Sequence, residues 1–248
     1  MDVELPDYGL SMAGAVADSV NLYLQKLYQI RTTTPGEFAG EEFGVAVIGY
    51  GGDGASPAKL ILYMDASETK ADGKATRRDE ATISSDATHP VFPIWIQPAA
   101  EGSAALCAGI SLANDIAASW ITNHGSVEPP HIINITDGSM SDGDPIGIAE
   151  KVQGLSTSRG KVNLWTCHFT SSHSPVILFP SEDALAAAPP NWRALLRSSS
   201  PLPQGSIRDI MLEFPEVSKI AGSRCCIFNA DLAFLVRAIA CITRLPLP

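Results

Sequence analysis

Apolar residues recur at helical spacing over residues 11–30. Val16, Val20, Leu24 and Leu27 share one face, with Tyr23 and Tyr28 beside them, and this predicts an amphipathic helix. The run Thr32-Thr33-Thr34-Pro35-Gly36 ends it. Two short apolar runs follow, residues 43–50 (FGVAVIGY) and 59–64 (KLILYM), which read as buried strands. Gly51-Gly52-Asp53-Gly54 closes the first. Residues 65–88 are polar and poor in large apolar side chains, so a loop is expected. Residues 91–96 (VFPIWI) predict a short strand, and Pro93 places it at an edge or a bend. A second helix is expected over 103–121, then a strand ending at Asp137, a helix over 145–155 and a strand over 161–168 (KVNLWTCH). Residues 176–179 are expected to form a short strand after a Ser/His-rich loop. Residues 181–200 hold one or two short helices interrupted by Pro189-Pro190, and 201–228 read as irregular. A final helix over 229–243 is apolar on most sides and should dock on the sheet. Strands alternating with helices predict an α/β fold: a doubly wound, mostly parallel central sheet with helices on both faces. The expected organisation is a single domain over 1–248, with 65–88 as a polar loop and 169–248 as a C-terminal extension packing on the core.

Composition narrows the classes. The chain has 248 residues, 45% of them hydrophobic and 18% charged, an ordinary globular balance. Its formal net charge of -10 argues against nucleic acid or an anionic membrane as partner, because phosphate binding needs a basic face. No apolar run approaches the roughly 20 residues that span a bilayer. The start, Met1-Asp2-Val3-Glu4-Leu5-Pro6, lacks the basic and apolar parts of a signal peptide, so a cytoplasmic protein is expected. The five cysteines (Cys107, Cys167, Cys225, Cys226, Cys241) are odd in number and include no CxxC pair. They are expected to be reduced and partly buried, with Cys225-Cys226 in the core and no zinc site.

The densest chemical signal is His131-Ile132-Ile133-Asn134-Ile135-Thr136-Asp137-Gly138-Ser139, an apolar run that ends in an acid and a glycine. Such a strand delivers Asp137 to the carboxyl edge of a sheet, where ligands of open α/β sheets bind. Two other loops precede helices and can reach that edge: Asp7-Tyr8-Gly9-Leu10-Ser11-Met12 and Glu101-Gly102-Ser103. Carboxylate, hydroxyl and water are the ligands that Mg²⁺ prefers. In these residues the chain resembles the von Willebrand factor A domain family, of the intracellular bacterial type. The family's metal-ion-dependent adhesion motif, Asp-x-Ser-x-Ser, falls on Asp7, Gly9 and Ser11, its later threonine on Ser103, and its strand-end aspartate on Asp137. Gly9 departs from the motif and removes one hydroxyl. The resemblance implies the family's Rossmann-like fold and a degenerate site in which Asp7, Ser11, Ser103 and Asp137 hold Mg²⁺ or Mn²⁺, weakly. It also implies a protein-protein interaction module or signalling adaptor, without catalysis, whose partner offers an acidic side chain to the metal.

Plainer roles compete for each residue. Asp137 could cap its own turn, and Asp7, Ser11 and Ser103 could be helix caps. Asp142 and Asp144 read as a solvated loop. The glycine-rich Gly51-Gly54 turn lacks the Lys-Ser/Thr helix start that a phosphate loop needs. His168 and His173 read as loop residues beside a Ser/Thr cluster. An alternative function is a serine hydrolase of α/β type, because Ser11, Asp137 and His168 occur in the order nucleophile, acid, base. The local Gly9-Leu10-Ser11-Met12-Ala13 lacks the second glycine of a nucleophile elbow.

Overall fold

A computed structural model describes residues 4–5, 10–33, 44–52, 56–65, 94–100, 102–172, 174–217 and 220–243. The first elements are two short antiparallel strands, β1 (Glu4–Leu5) and β2 (Leu10–Ser11), then helix α1 (Met12–Thr33). Strands β3 (Gly44–Tyr50) and β4 (Ala58–Asp65) form an antiparallel hairpin with a register shift between Val47 and Ile48. Helix α2 (Leu106–Asn123) leads to β5 (His131–Thr136), and α3 (Ile146–Gly154) follows. A small hairpin, β6 (Ser156–Thr157) and β7 (Gly160–Lys161), precedes β8 (Asn163–Phe169) and β9 (Ile177–Leu178). The chain closes with α4 (Pro190–Ser198), α5 (Ile207–Glu213), β10 (Cys226–Ala230) and α6 (Leu232–Thr243).

The protein is mixed α/β with a mostly parallel central sheet in the order β5-β8-β10-β9. β5, β8 and β10 run parallel, and β9 is antiparallel at the edge. Alternation along the strands feeds two cores. Trp165, Cys167 and Phe169 of β8 and Ile227 and Ala230 of β10 pack with Met12 and Ala15 of α1 and Leu235 and Ile239 of α6. Leu164 of β8 and Cys226 and Phe228 of β10 pack on the other face with Leu106, Val152 and Leu195 from α2, α3 and α4. β8 shows the period-two pattern of a sheet covered on both sides, and β10 keeps it up to Phe228, where the irregularity at Asn229 (φ 57°) turns Ala230 to the face of Ile227. The hairpin β3/β4 stands apart, and its Val45, Val47, Leu62 and Met64 pack with Leu24 of α1 and with Trp95 and Ile96.

Several expectations need correction. Residues 94–96 form no strand; the backbone N–H groups of Trp95 and Ile96 instead donate to Asn21 Oδ1, and Asn21 Nδ2 donates back to the Ile96 carbonyl. An asparagine on α1 thus supplies the pairing that a neighbouring strand would have supplied. Residues 201–228 are not irregular throughout, and the last helix does not begin at 229. Cys226–Ala230 is a fully buried central strand, and α5 precedes it. An apolar strand that runs into an apolar helix shows no change of period at the join. His168 is not a loop residue: it lies within β8, 6% exposed. The expected 65–88 loop and His173 fall outside the described residues, apart from Asp65, which ends β4. Cys225 and Cys226 are buried as expected, and the cysteines are free thiols, three buried and two half-buried. No described helix is long and apolar enough to cross a membrane.

Candidate functional site

Parallel β5, β8 and β10 end together, and the loops that leave them define one rim. At that rim β5 stops at Thr136 because the next residues leave the extended conformation. Thr136 Oγ1 accepts the Gly138 N–H at 3.1 Å, and Asp137 Oδ1 accepts the Ser139 N–H at 3.0 Å. Gly138 takes φ +87°, a conformation open to glycine and strained for other residues. Asp137 is half-buried. Burial works to raise its pKa, but the Ser139 N–H favours the charged form and the net displacement is downward. One carboxylate oxygen is therefore tied to the turn, and the group stays ionised.

His168 sits beneath Asp137 and Gly138. Its Nδ1 accepts the Asn229 N–H at 3.2 Å, and its other nitrogen faces the Asp137 backbone carbonyl. The ring packs against Trp192 and Phe228 at centroid distances of 5.2 and 5.7 Å. Burial lowers its pKa, with the Asp137 carbonyl and carboxylate pulling the other way. Asn229 is held at φ 57° and donates its side-chain amide to the Pro175 carbonyl. Both ring nitrogens of His168 thus serve the architecture of the rim.

The 137–145 loop is bound to the start of α2. Asp142 accepts the N–H groups of Cys107 and Ala108 at 3.1 and 2.8 Å, and Ser141 donates to the Ala104 carbonyl. α2 starts after Ala105, which offers no side-chain cap, so a carboxylate from another loop caps it. Asp142 is exposed, but its role is this cap and not that of a solvated loop residue. Asp144 accepts the Ile146 N–H at the start of α3. The Cys107 thiol, beside Asp142, is pushed up to about 11 by burial and then by that charge, so it stays protonated.

Of the expected metal ligands, Asp137 and Ser103 stand on these two joined loops. Ser103 is exposed and is not the cap of α2, which begins three residues later at Leu106. Ser11 does act as a cap: its Oγ accepts the Gly14 N–H at 3.0 Å as α1 begins. Asp7 and Gly9 lie outside the described residues. Among the described residues no group of three His, Cys, Asp or Glu is placed to hold a metal. The expected set of two carboxylates, Asp7 and Asp137, and two hydroxyls, Ser11 and Ser103, contains no such group of three, and its donor chemistry fits a hard cation that keeps several waters. Reading the sequence missed Asp142 as a cap, Tyr50 as a bridge and Asn229 as the partner of His168. A lone acid two residues before Asp144 carried no signal that it reaches a helix more than thirty residues upstream.

Tyr50 ends β3 and crosses to the central sheet, its hydroxyl shared between Asn134 Oδ1 at 2.8 Å and the Ile135 carbonyl at 2.9 Å. Burial, then the charges of Asp137 and Asp142, push its phenol well above the ordinary range. Its ring lies where a Cβ on Gly109 would be, 2.7 Å from the nearest ring carbon, so α2 needs a glycine there. No protein-family model matches the chain, and neither a curated protein nor a solved structure matches it.

Proposed function

We propose that this chain is a non-catalytic binding module of von Willebrand factor A type, with a doubly wound sheet, that works as a cytoplasmic adaptor. Asp7, Ser11, Ser103 and Asp137 would hold Mg²⁺ or Mn²⁺ at the carboxyl edge, and an acidic side chain of a partner protein would complete the coordination. The observation that carries this reading is Asp137, an ionised carboxylate at the end of a central parallel strand, where ligands of open α/β sheets bind. The loop bearing Ser103 is hydrogen-bonded to the loop that follows Asp137, which supports their acting together. Gly9 supplies no hydroxyl, so water takes that position and affinity is weak.

Turnover would need a base. The hydrolase reading assigns that role to His168, whose Nδ1 is occupied by the Asn229 N–H and whose ring is buried under aromatic side chains. A general base must reach its proton within hydrogen-bond distance, and the cap geometry of Ser11 brings no such pairing. A fluorophosphonate probe is accordingly expected to leave Ser11 unlabelled.

Calorimetric titration with Mg²⁺ and Mn²⁺ tests the metal. Saturable heat is expected for the natural protein, tighter binding for Gly9→Ser and none for Asp137→Ala. Absence of metal-dependent heat or thermal shift at millimolar metal in both the natural protein and Gly9→Ser would refute the reading.

A further inference from the structure

The hairpin and the central sheet face each other across open edges. β3 pairs with β4 and β5 pairs with β8; among the described residues neither has a strand on its other side. Tyr50 at the end of β3 bonds Asn134 and Ile135 near the end of β5, so the two strands finish together and run the same way. Between them lies a cavity of about 1060 Å³. Val45 and Ile133 belong to its two strand walls, Ala113 and Ala117 of α2 line one side and Ile242 of α6 another. Trp120 is also on its lining, and its indole N–H is buried and, among the described residues, without a hydrogen-bond partner.

The ends of the slot differ in charge. At the amino end of β5 its lining includes Arg159 and Lys161. Arg159 pairs with Glu128 at 3.6 Å, which among the described residues leaves the exposed Lys161 as the uncompensated charge of that mouth. At the other end the Tyr50 hydroxyl feels the negative charges of Asp137 and Asp142.

We propose that this slot accepts an extended segment of a partner protein as an added strand, apolar along its body, acidic at its amino end and basic at its carboxyl end. Two strand edges present rows of N–H and C=O groups, and an extended backbone placed between them satisfies both rows at once. Helices cover both faces of the slot, so side chains on both faces of the inserted strand must be apolar. Parallel entry matches the direction of β3, β5, β8 and β10 and places the acid beside Lys161. The Trp120 N–H then donates to a carbonyl of the inserted segment. The result is one continuous sheet in the order β4-β3-insert-β5-β8-β10-β9. No metal takes part, so binding survives EDTA and is separable from the carboxyl-edge reading.

The test uses a blocked heptapeptide with aspartate first, alternating valine and alanine, and lysine last, against its counterpart with lysine first and aspartate last. Binding to the full chain is measured in EDTA by calorimetry and by the NMR signal of the Trp120 indole N–H, identified with Trp120→Phe. The aspartate-first peptide is expected to saturate and shift that signal, and to bind about fivefold more tightly than its counterpart. Lys161→Glu, at an exposed site, should remove or invert the preference. Ala113→Leu should fill the slot and weaken binding about tenfold without lowering the unfolding midpoint. No saturable binding, equal binding of the two peptides, preference for the lysine-first peptide, or indifference to Ala113→Leu would each overturn the proposal.

Discussion

A methyl group at Gly138 would meet His168 Cδ2 at 2.9 Å, and the backbone there has φ +87°. Gly138→Ala is therefore expected to cost about 2 kcal/mol or more in strain and displacement, measured by denaturant unfolding. His168, packed beneath this turn, is a pH-sensitive support of the rim. Its folded pKa is lowered from 6.5 by burial, so the unfolded chain takes up the proton more readily. Its contribution is fully present above pH 6.5 and is lost as pH falls through the lower folded value. The unfolding midpoint should fall on acidification below that pH, and His168→Gln should flatten the slope even if it lowers stability at neutral pH. Asp137, also lowered, adds a second loss that begins only below 3.8. The Ile-Thr-Asp-Gly strand end was legible from residue types alone, because an apolar run closed by Asp-Gly leaves few other readings. The use of both His168 nitrogens was not, since Asn229 lies 61 residues away along the chain.

Each helix owes its start to a different device. α1 is capped by its own Ser11, a local motif that a sequence shows directly. α2 is capped by Asp142 from across the rim. Asp142→Ala should lower stability by about 1 kcal/mol, with Asp142→Asn recovering part of it. The loss should appear first as faster amide exchange at the start of α2. Asn21 plays a comparable part for residues 95 and 96, taking two N–H groups on one oxygen. The helices over 12–33, 106–123 and 146–154 were legible because a 3.6-residue period needs only local information. Strand β10 was not: its five residues are all buried, and its identity comes from pairing with β8 and β9 on either side.

At the scale of the whole molecule, a chain of net charge -10 would repel the acidic partner proposed above at long range, so on that reading the proposed cation would have to supply the attraction. Capture of such a partner is expected to need divalent metal, to fail in EDTA and to fail with Asp137→Ala. A partner retained equally in all three conditions would place recognition elsewhere. The central sheet and the hairpin are held together by α2 and by the Tyr50 hydroxyl. Tyr50→Phe keeps the ring against Gly109 and should cost about 1–2 kcal/mol for the buried acceptors left unpaired, read by chemical denaturation. By itself the sequence determined the α/β class, the helices with strong periods, the burial of Cys225-Cys226 and the delivery of Asp137 to a strand end. Each of these follows from local spacing and residue type. Strand order, the capping of α2 by Asp142, the clamp at Asn21 and the open slot between β3 and β5 were decided by the tertiary structure. The physical reason is that each depends on backbone groups distant in sequence finding a partner, and a hydrogen bond donated across the fold leaves no periodic trace in the chain that makes it.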